Sequence, residues 1–566
     1  MEKFRDLPYK RPDAVKLLRE VNGCVRALKT AKDFEAANDA LLRVHETVYE
    51  AGTQYVIAQI RRDINTKDAF YQREMKFYNT ALPLLAPALK RAVKALLESP
   101  FRPRFEALYG AQLFRTAQTQ IELINLKTIL PTIRENNLTT AYSRTAAGCS
   151  VEFMGEKCNF YGLLRHMQSP DREERKNAFL AWAKLYESVS PELEEQFGKL
   201  VKLRCAIAKK LGCGSYIDYV YPSRQRYDYG PAQAAEFREA VRQYITPLCE
   251  TLFREQAERL GVDRLHWYDE SLTFPQGNAV PVGTPEELVE QARQMYADLS
   301  PETEEYFNFM TEHGLFDLVT RENKHLGGYC TGLPSCKAPF IFSNFNGTSA
   351  DVDVLTHEAG HAFQFYYATR RVPLEELAAS TSEINEIHSM AMEHFAYPYM
   401  ERFFGDRADQ YRYAHFCGAV RTIPYLVAVD EFQHRVFENP ASGPADWRRF
   451  WKEIEGRYMP WRDYDGNAFL ESGGFWMQKQ HIFLYPFYYI EYAMAQMGAF
   501  HLYRKQLEDG SGWRDYLTLC GLGGQYGYFE TLERAGIPNP LDPETVKETA
   551  AFCEKQAAIL KEKAGL

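Results

Sequence analysis

The chain has 566 residues, of which 45% are hydrophobic and 25% are charged, and its net charge is −9. This composition is typical of a globular protein, and the mild acidity without any run of Lys and Arg argues against nucleic acid as a partner. The 11 cysteines are scattered, odd in number and without CxxC spacing, which indicates reduced thiols.

Apolar residues recur at three- and four-residue steps along most of the chain, as in amphipathic helices. The clearest helical stretches are, in chain order, 35–60, 87–97, 172–185, 232–261, 285–299 and 545–563. Strand patterns are few, and the best of them, 327–331 and 338–345, predict a small hairpin-like sheet. The sequence therefore predicts a mainly α fold with a minor sheet just before residue 350.

Nothing in the sequence predicts a membrane location. The N-terminus is charged and lacks the apolar core of a secretory signal. The most apolar stretch, 482–490, is far shorter than the ~18 residues that a membrane span needs. We therefore expect a cytoplasmic protein that has no membrane partner.

Residues 357–361 read His-Glu-Ala-Gly-His and carry the strongest chemical signal in the chain. On a helix, His357 and His361 project from one face about a turn apart, so both can reach one Zn²⁺ at ~2.0–2.1 Å. Glu358 points beside the metal, where it can take a proton from water whose pKa the metal lowers. The same pattern also arises by accident on polar helix faces, so a third ligand is needed to decide.

The predicted helix around this motif has a start signal and one weak point. Thr348 or Ser349 can cap it, and Asp351 lies near its positive N-terminal end. Gly360 lowers helix stability by roughly 1 kcal/mol relative to Ala. Either a close neighbour or a bound substrate would explain this glycine.

A catalytic zinc takes three protein ligands and keeps one open position. The chain lacks the Gly and the third His of the long metzincin pattern. On the next predicted helix, residues 380–383 form a plausible capping box, which gives Glu383 a structural role. Glu386 has no such local role, and this favours it over Glu383 as the third ligand. Glu393 or Ser389 could orient a ligand from behind.

These residues resemble the oligoendopeptidase F branch of the thimet oligopeptidase family of zinc peptidases. The stretches that carry the resemblance are 327–331, 339–348, 354–364, 382–390 and 486–493. In that family the third ligand is a Glu 25 residues after the second His, which is Glu386 here. The resemblance implies two mostly helical lobes, approximately 1–230 and 231–566, that enclose a deep substrate channel with one Zn²⁺ on its floor.

The resemblance also implies an activity. A narrow channel admits short unfolded peptides and excludes folded proteins, so we expect a zinc metalloendopeptidase, or oligopeptidase, that hydrolyses internal peptide bonds. The strand 340–345 could pair with an extended substrate backbone. The glycine-rich stretch 521–528 has no feeding strand and no following Lys-Ser/Thr, so it predicts a tight turn and not a phosphate site.

Members of the family stabilise the oxyanion with a His and Tyr residues. The candidates here are His481, Tyr488 and Tyr492, with Tyr485 and Tyr489 as competitors. Core packing is the alternative role for each of these aromatic residues.

Two other functions stay open at this point. A helical zinc carboxypeptidase or dipeptidase could carry the same motif, and a non-catalytic peptide-binding protein could retain an inactive site. The intact Glu358 argues against the second. Co²⁺ or Mn²⁺ could also occupy such a site, and nothing in the sequence indicates the oligomeric state.

Overall fold

The computed structural model describes residues 1–123, 126–325 and 327–566. The α-helices are Ala14–Thr30 (α1), Phe34–Ile64 (α2), Ala69–Leu97 (α3), Arg102–Tyr109 (α4), Ala111–Leu123 (α5), Ile129–Gly148 (α6), Phe160–His166 (α7), Arg172–Lys210 (α8), Tyr216–Ser223 (α9), Pro231–Ala240 (α10), Thr246–Leu260 (α11), Pro285–Leu299 (α12), Pro301–His313 (α13), Ala350–Ala368 (α14), Ser382–Phe395 (α15), Glu401–Phe404 (α16), Ala408–Glu438 (α17), Pro444–Tyr458 (α18), Ala468–Glu471 (α19), Gln480–Leu484 (α20), Tyr489–Glu508 (α21), Gly512–Leu522 (α22), Tyr528–Arg534 (α23) and Pro543–Lys563 (α24). The strands are Val151–Phe153 (β1), Glu156–Cys158 (β2), Phe316–Val319 (β3), Tyr329–Leu333 (β4) and Ala338–Phe345 (β5). The predicted mainly α fold is confirmed.

Contacts divide the chain into two compact units. Unit 1 consists of Met1–Ile124, Val280–Asp406 and His501–Pro538, and unit 2 consists of Asn125–Ala279, Arg407–Phe500 and Asn539–Leu566. Both units contain residues from before and after position 230, the expected boundary between the two lobes. The division into lobes 1–230 and 231–566 stays a prediction. Among the described residues, no helix is long and apolar enough to cross a membrane.

The sheet of unit 1 has the strand order β3-β5-β4. The antiparallel pairing of β4 with β5 was expected, and it sets Leu333 opposite Ala338. The parallel pairing of β3 with β5, which sets Phe316 opposite Ile341, was not expected. As a result β5 is the central strand, and seven of its eight residues are buried. In unit 2, β1 and β2 form a separate antiparallel hairpin that the sequence patterns also missed.

A short turn leads from β5 into α14, and Asp351 holds it. The Asp351 carboxylate accepts hydrogen bonds from the backbone N–H groups of Asn346 (2.9 Å) and Gly347 (2.7 Å). The predicted capping by Thr348 or Ser349 is wrong, because Ser349 occupies the N-cap position without a side-chain capping bond. A carboxylate two positions inside the helix reaches back to the turn instead.

The other end of α14 is anchored in the hydrophobic core of unit 1. A cluster of buried side chains from α1 to α5 extends to Ala368 at the end of α14 and to the segment that follows it. Its members in that segment are Val372, Leu374, Leu377 and Ala378. The helix carrying the His-Glu-Ala-Gly-His motif is therefore fixed at both ends, by the sheet and by the core.

Candidate metal centre and active site

Three side chains from two adjacent helices converge in unit 1. His357 and His361 project from α14, and Glu386 projects from α15. Glu386 Oε2 lies 3.5 Å from Nε2 of His357 and 3.5 Å from Nε2 of His361. Ligand atoms of a tetrahedral zinc ion with bonds of about 2.0–2.1 Å lie about 3.3 Å apart. The two His–Glu separations and the donor set therefore fit one zinc ion.

A glycine allows the two helices to approach closely enough for this convergence. A Cβ atom at Gly360 would lie 2.7 Å from Ser389 Cα and 2.8 Å from the His388 carbonyl oxygen of α15. Real Cβ atoms do not make such contacts, so any side chain at this position would push α15 away. Of the two explanations for Gly360, the close neighbour is the one that the structure contains.

We expect Gly360→Ala to lower the free energy of unfolding by about 1–3 kcal/mol, because the added methyl group overpacks the contact between the two helices. It should also weaken metal binding, since the ligands sit on both helices. Denaturant unfolding and zinc titration measure the two effects. The matched control is Gly456→Ala in α18, where no atom lies within 4 Å of the new Cβ. That substitution should stabilise by about 0.5–1 kcal/mol. Equal stability of the two variants would contradict the packing argument.

Outer carboxylate and hydroxyl groups orient the candidate ligands. Nδ1 of His357 lies 2.5 Å from Glu393 Oε1, which leaves Nε2 directed at the metal position. The Ser389 hydroxyl donates to Glu386 Oε2 at 3.2 Å and to the Glu386 carbonyl oxygen at 3.0 Å. Both orienting partners proposed from the sequence therefore contact a candidate ligand.

The electrostatics of the site are those of buried imidazoles facing carboxylates. Burial alone would lower the pKa of His357, but Glu386 and Glu393 on either side of its ring outweigh this and raise that pKa well above the ordinary value. Burial alone would raise the pKa of Glu386, but His361 and His357 outweigh it and hold that pKa far below its usual range. Both pKa shifts have one cause, the close approach of imidazole rings to carboxylates in a buried site.

The start of α15 differs from the prediction. The N-cap residue is Thr381, which makes no side-chain capping bond. The Ser380 N–H donates to Asn385 Oδ1 and the Asn385 side-chain amide donates back to the Ser380 carbonyl oxygen, each at 3.1 Å. The capping box between Ser380 and Glu383 is therefore wrong. Glu383 is buried, with 1% of its surface exposed, and lies outside the set of three converging ligands.

The glycine-rich stretch 521–528 supports the segment that leads into α15. A Cβ atom at Gly523 would lie 2.2 Å from the Leu377 carbonyl oxygen, and one at Gly524 would lie 2.1 Å from the Ala379 carbonyl oxygen. The Gly524 N–H donates to the Leu377 carbonyl oxygen at 2.7 Å. These glycines are needed for close backbone contact, so the expected tight turn has a structural role next to the ligand helix.

The aromatic candidates for oxyanion stabilisation lie in unit 2, where His481 and the tyrosines form one cluster. His481 belongs to α20, and its ring centroid lies 6.0 Å from that of Tyr488 and 6.4 Å from that of Tyr492. Tyr488 precedes α21, yet its ring lies 5.0 Å from that of Tyr492 inside the helix. Of the competitors, Tyr485 is 56% exposed, whereas Tyr489 is 9% exposed and packs 4.8 Å from His481. The role of these residues stays a prediction.

The fold and the site in unit 1 define a class: a mainly helical protein with a His-His-Glu centre of the zinc-peptidase type and a glutamate, Glu358, next to the first His. Comparison with known families agrees. The model of Peptidase family M3 matches residues 165–550, and that of the Peptidase M3 N-terminal domain matches residues 4–124. The chain belongs to peptidase family M3, and it is a peptidase.

Solved structures of similar proteins cover almost the whole chain. A protein provisionally named oligoendopeptidase F is 40% identical over 99% of both chains, with a TM-score of 0.93. PZ peptidase A, solved with an inhibitor, is 39% identical over 98% of this chain and 99% of its own, with a TM-score of 0.93. A protein from Bacillus anthracis, also provisionally named oligoendopeptidase F, is 36% identical over 100% of both chains, with a TM-score of 0.89. Comparison with curated proteins gives no match.

Proposed function

We propose that the chain is a zinc endopeptidase that hydrolyses internal bonds of short unfolded peptides. The single observation that carries this proposal is the convergence of His357, His361 and Glu386 at 3.5 Å from imidazole to carboxylate. These three residues would hold one zinc ion per chain. Three protein ligands would leave a fourth position for water or substrate, which is typical of a catalytic zinc site.

When bound, zinc supplies Lewis acidity that lowers the pKa of water and polarises the scissile carbonyl group. The chain supplies the proton transfers. Glu358, half-buried on α14, accepts the proton of the attacking water and passes it to the nitrogen of the leaving amine. Glu393 keeps the His357 ring in place while this occurs, because its carboxylate accepts from Nδ1.

An extended peptide would bind along the edge of the sheet beside Glu358. The expectation that the strand 340–345 pairs with the substrate backbone is wrong, because β5 already pairs with β3 on one side and with β4 on the other. β4 is an edge strand of the sheet, and it contacts α14, the helix that carries Glu358. Backbone hydrogen bonds to β4 would give affinity with little sequence preference.

The hydroxyl groups of Tyr488 and Tyr492 are proposed to stabilise the oxyanion, together with His481. Their shared cluster and the guanidinium of Arg224, 4.7 Å from the Tyr488 ring centroid, support a fixed orientation of the rings.

Single substitution of Tyr488 or Tyr492 by Phe should lower kcat by about 10²–10³-fold if that hydroxyl is an oxyanion donor. Steady-state kinetics on one peptide substrate measure this loss. Tyr161→Phe, at an exposed position of the same unit and outside the cluster, is the matched control and should leave kcat unchanged. Unchanged kcat in the Phe variants of Tyr488, Tyr489 and Tyr492 would exclude the proposed role.

The test of the function uses a fluorogenic peptide with both ends blocked. We expect internal cleavage that stops when a chelator removes the metal and returns when Zn²⁺ is added. A carboxypeptidase or dipeptidase would leave the blocked peptide intact and cleave the unblocked one. Absence of hydrolysis of both peptides by the zinc-loaded chain would overturn the proposed endopeptidase activity. Metal analysis of the purified chain would show whether Zn²⁺, Co²⁺ or Mn²⁺ is present.

We also propose a cytoplasmic location with peptides as the partners of the chain. The eleven cysteines are free thiols and five of them are buried. This usage is typical of proteins that fold in a reducing compartment.

A further inference from the structure

A second group of metal-ligating side chains lies in unit 2, apart from the site described above. Glu156 and Cys158 belong to β2, and His166 is the last residue of α7. One ligand atom from each lies within 4.8 Å of the other two. We propose that these three residues form a second zinc site, with a thiolate, an imidazole and a carboxylate as ligands.

The two nitrogens of His166 have different surroundings, and this indicates a metal ligand. Nδ1 lies 2.6 Å from Glu174 Oε1, and the Ser169 hydroxyl donates to the other oxygen of the same carboxylate at 2.7 Å. Nε2 is buried and makes no hydrogen bond to any part of the chain that the structure describes. Leaving a buried polar atom without a partner is unfavourable, and a bound cation would remove that penalty.

The arrangement around His166 repeats that of the proposed catalytic centre. There, Nδ1 of His357 lies 2.5 Å from Glu393 and Nε2 faces the metal position. A carboxylate behind an imidazole fixes the ring and its tautomer and raises the basicity of the opposite nitrogen. In both places the outer carboxylate comes from a neighbouring helix, here from the first turn of α8.

The other two ligands, Cys158 and Glu156, can bind a metal ion after small movements of their side chains. Only 3% of the surface of Cys158 is exposed. Its sulfur is a soft donor, which favours zinc over magnesium or calcium. Glu156 pairs through Oε2 with Arg165 at 2.8 Å, but both side chains are more than half exposed and such pairs are weak. Zinc ligands lie about 3.3–3.7 Å apart, so a closure of about 1.1–1.5 Å from the 4.8 Å limit suffices.

Binding requires the Cys158 thiol to lose its proton to solvent, after which sulfur, nitrogen and oxygen occupy three positions and water can take the fourth. The ion would join the β1–β2 hairpin to α7 and, through Glu174, to α8. Its role is structural, because none of these residues belongs to the proposed proton-transfer machinery.

Cobalt(II) titration of the metal-free chain tests this site, because only the second site contains a thiolate. With a phosphine as reductant, the wild-type chain should bind two Co²⁺ and develop a sulfur-to-cobalt charge-transfer band. Cys158→Ala should bind one Co²⁺, lose the band and keep its kcat/KM. Cys213→Ala, at a cysteine outside the cluster, is the matched control and should behave as the wild type.

A second variant keeps the test decisive if Cys158→Ala fails to fold. His361→Ala removes a proposed catalytic ligand, so this variant should bind one Co²⁺ and retain the full charge-transfer band without hydrolysing peptides. Absence of the band in both the wild type and His361→Ala would overturn the proposal. Persistence of the band in Cys158→Ala would also overturn it, because another cysteine would then be the ligand.

Discussion

Glu358→Gln should lower kcat/KM by about 10²–10⁴-fold while the centre formed by His357, His361 and Glu386 retains its zinc ion, because the amide cannot accept a proton from water. The substitution preserves the size of the side chain and leaves His357, His361 and Glu386 unchanged. Loss of activity with an intact metal centre would therefore separate the base from the ligands. The measurements are peptide hydrolysis and the zinc content of the same preparation.

The matched control for this substitution is Glu304→Gln on α13, an exposed glutamate of the same unit. It makes the same change of charge without touching the site, so hydrolysis should stay at the wild-type rate. Substantial turnover by Glu358→Gln would contradict its assignment as the base. Loss of zinc from Glu358→Gln would also contradict the argument, because Glu358 would then support the metal directly.

The candidate metal centre is the part of the molecule that the sequence predicts best. A helix places His357 and His361 on one face whatever the rest of the fold does, so their spacing alone indicates a shared ligand. The local helix pattern and the family resemblance both favour Glu386 over Glu383, and the structure brings Glu386 to the two imidazoles. The local argument depends on a capping box between Ser380 and Glu383, and that capping box is absent. The family resemblance is therefore the stronger basis for predicting Glu386.

Features that depend on distant parts of the chain were harder to predict. β3 has four residues and pairs in parallel with β5. Such a pairing has no turn between its strands that a sequence pattern could reveal. A hairpin of β4 and β5 alone would leave one side of β5 free for a substrate, but β3 occupies that side. The sequence shows that Gly360 is unfavourable in a helix, but only the packed position of α15 explains why a glycine is needed there.

Side chains that reach back across a turn account for the errors at helix starts. Capping rules assign the role to Ser or Thr at the boundary, whereas Asp351 and Asn385 act from inside their helices. No sequence pattern predicts the cluster of Glu156, Cys158 and His166, for a related reason. A hairpin and a helix bring its members together, and their separations of two and eight residues match no metal-binding pattern.

Glu386→Ala should abolish hydrolysis and weaken zinc binding at the centre by more than about 100-fold, the upper end of the loss caused by removing only an outer partner of a ligand. The reason is that two imidazoles alone leave the cation short of one donor and of the only negative charge among its ligands. Zinc affinity is measured by competition with a chromophoric chelator. In that assay only the zinc ion bound by His357 and His361 should be lost. The zinc ion at the proposed site around Cys158 should remain bound.

Glu383→Gln is the control that makes this result decisive, since both glutamates lie on α15 and both were candidates for the third ligand. Glu383 is as deeply buried as Glu386, so a general effect of changing a buried carboxylate would appear in both variants. We expect Glu383→Gln to retain zinc and peptide hydrolysis. Wild-type zinc affinity in Glu386→Ala, or loss of the metal from Glu383→Gln alone, would move the third ligand to the other carboxylate and invalidate the geometry on which the proposed mechanism depends.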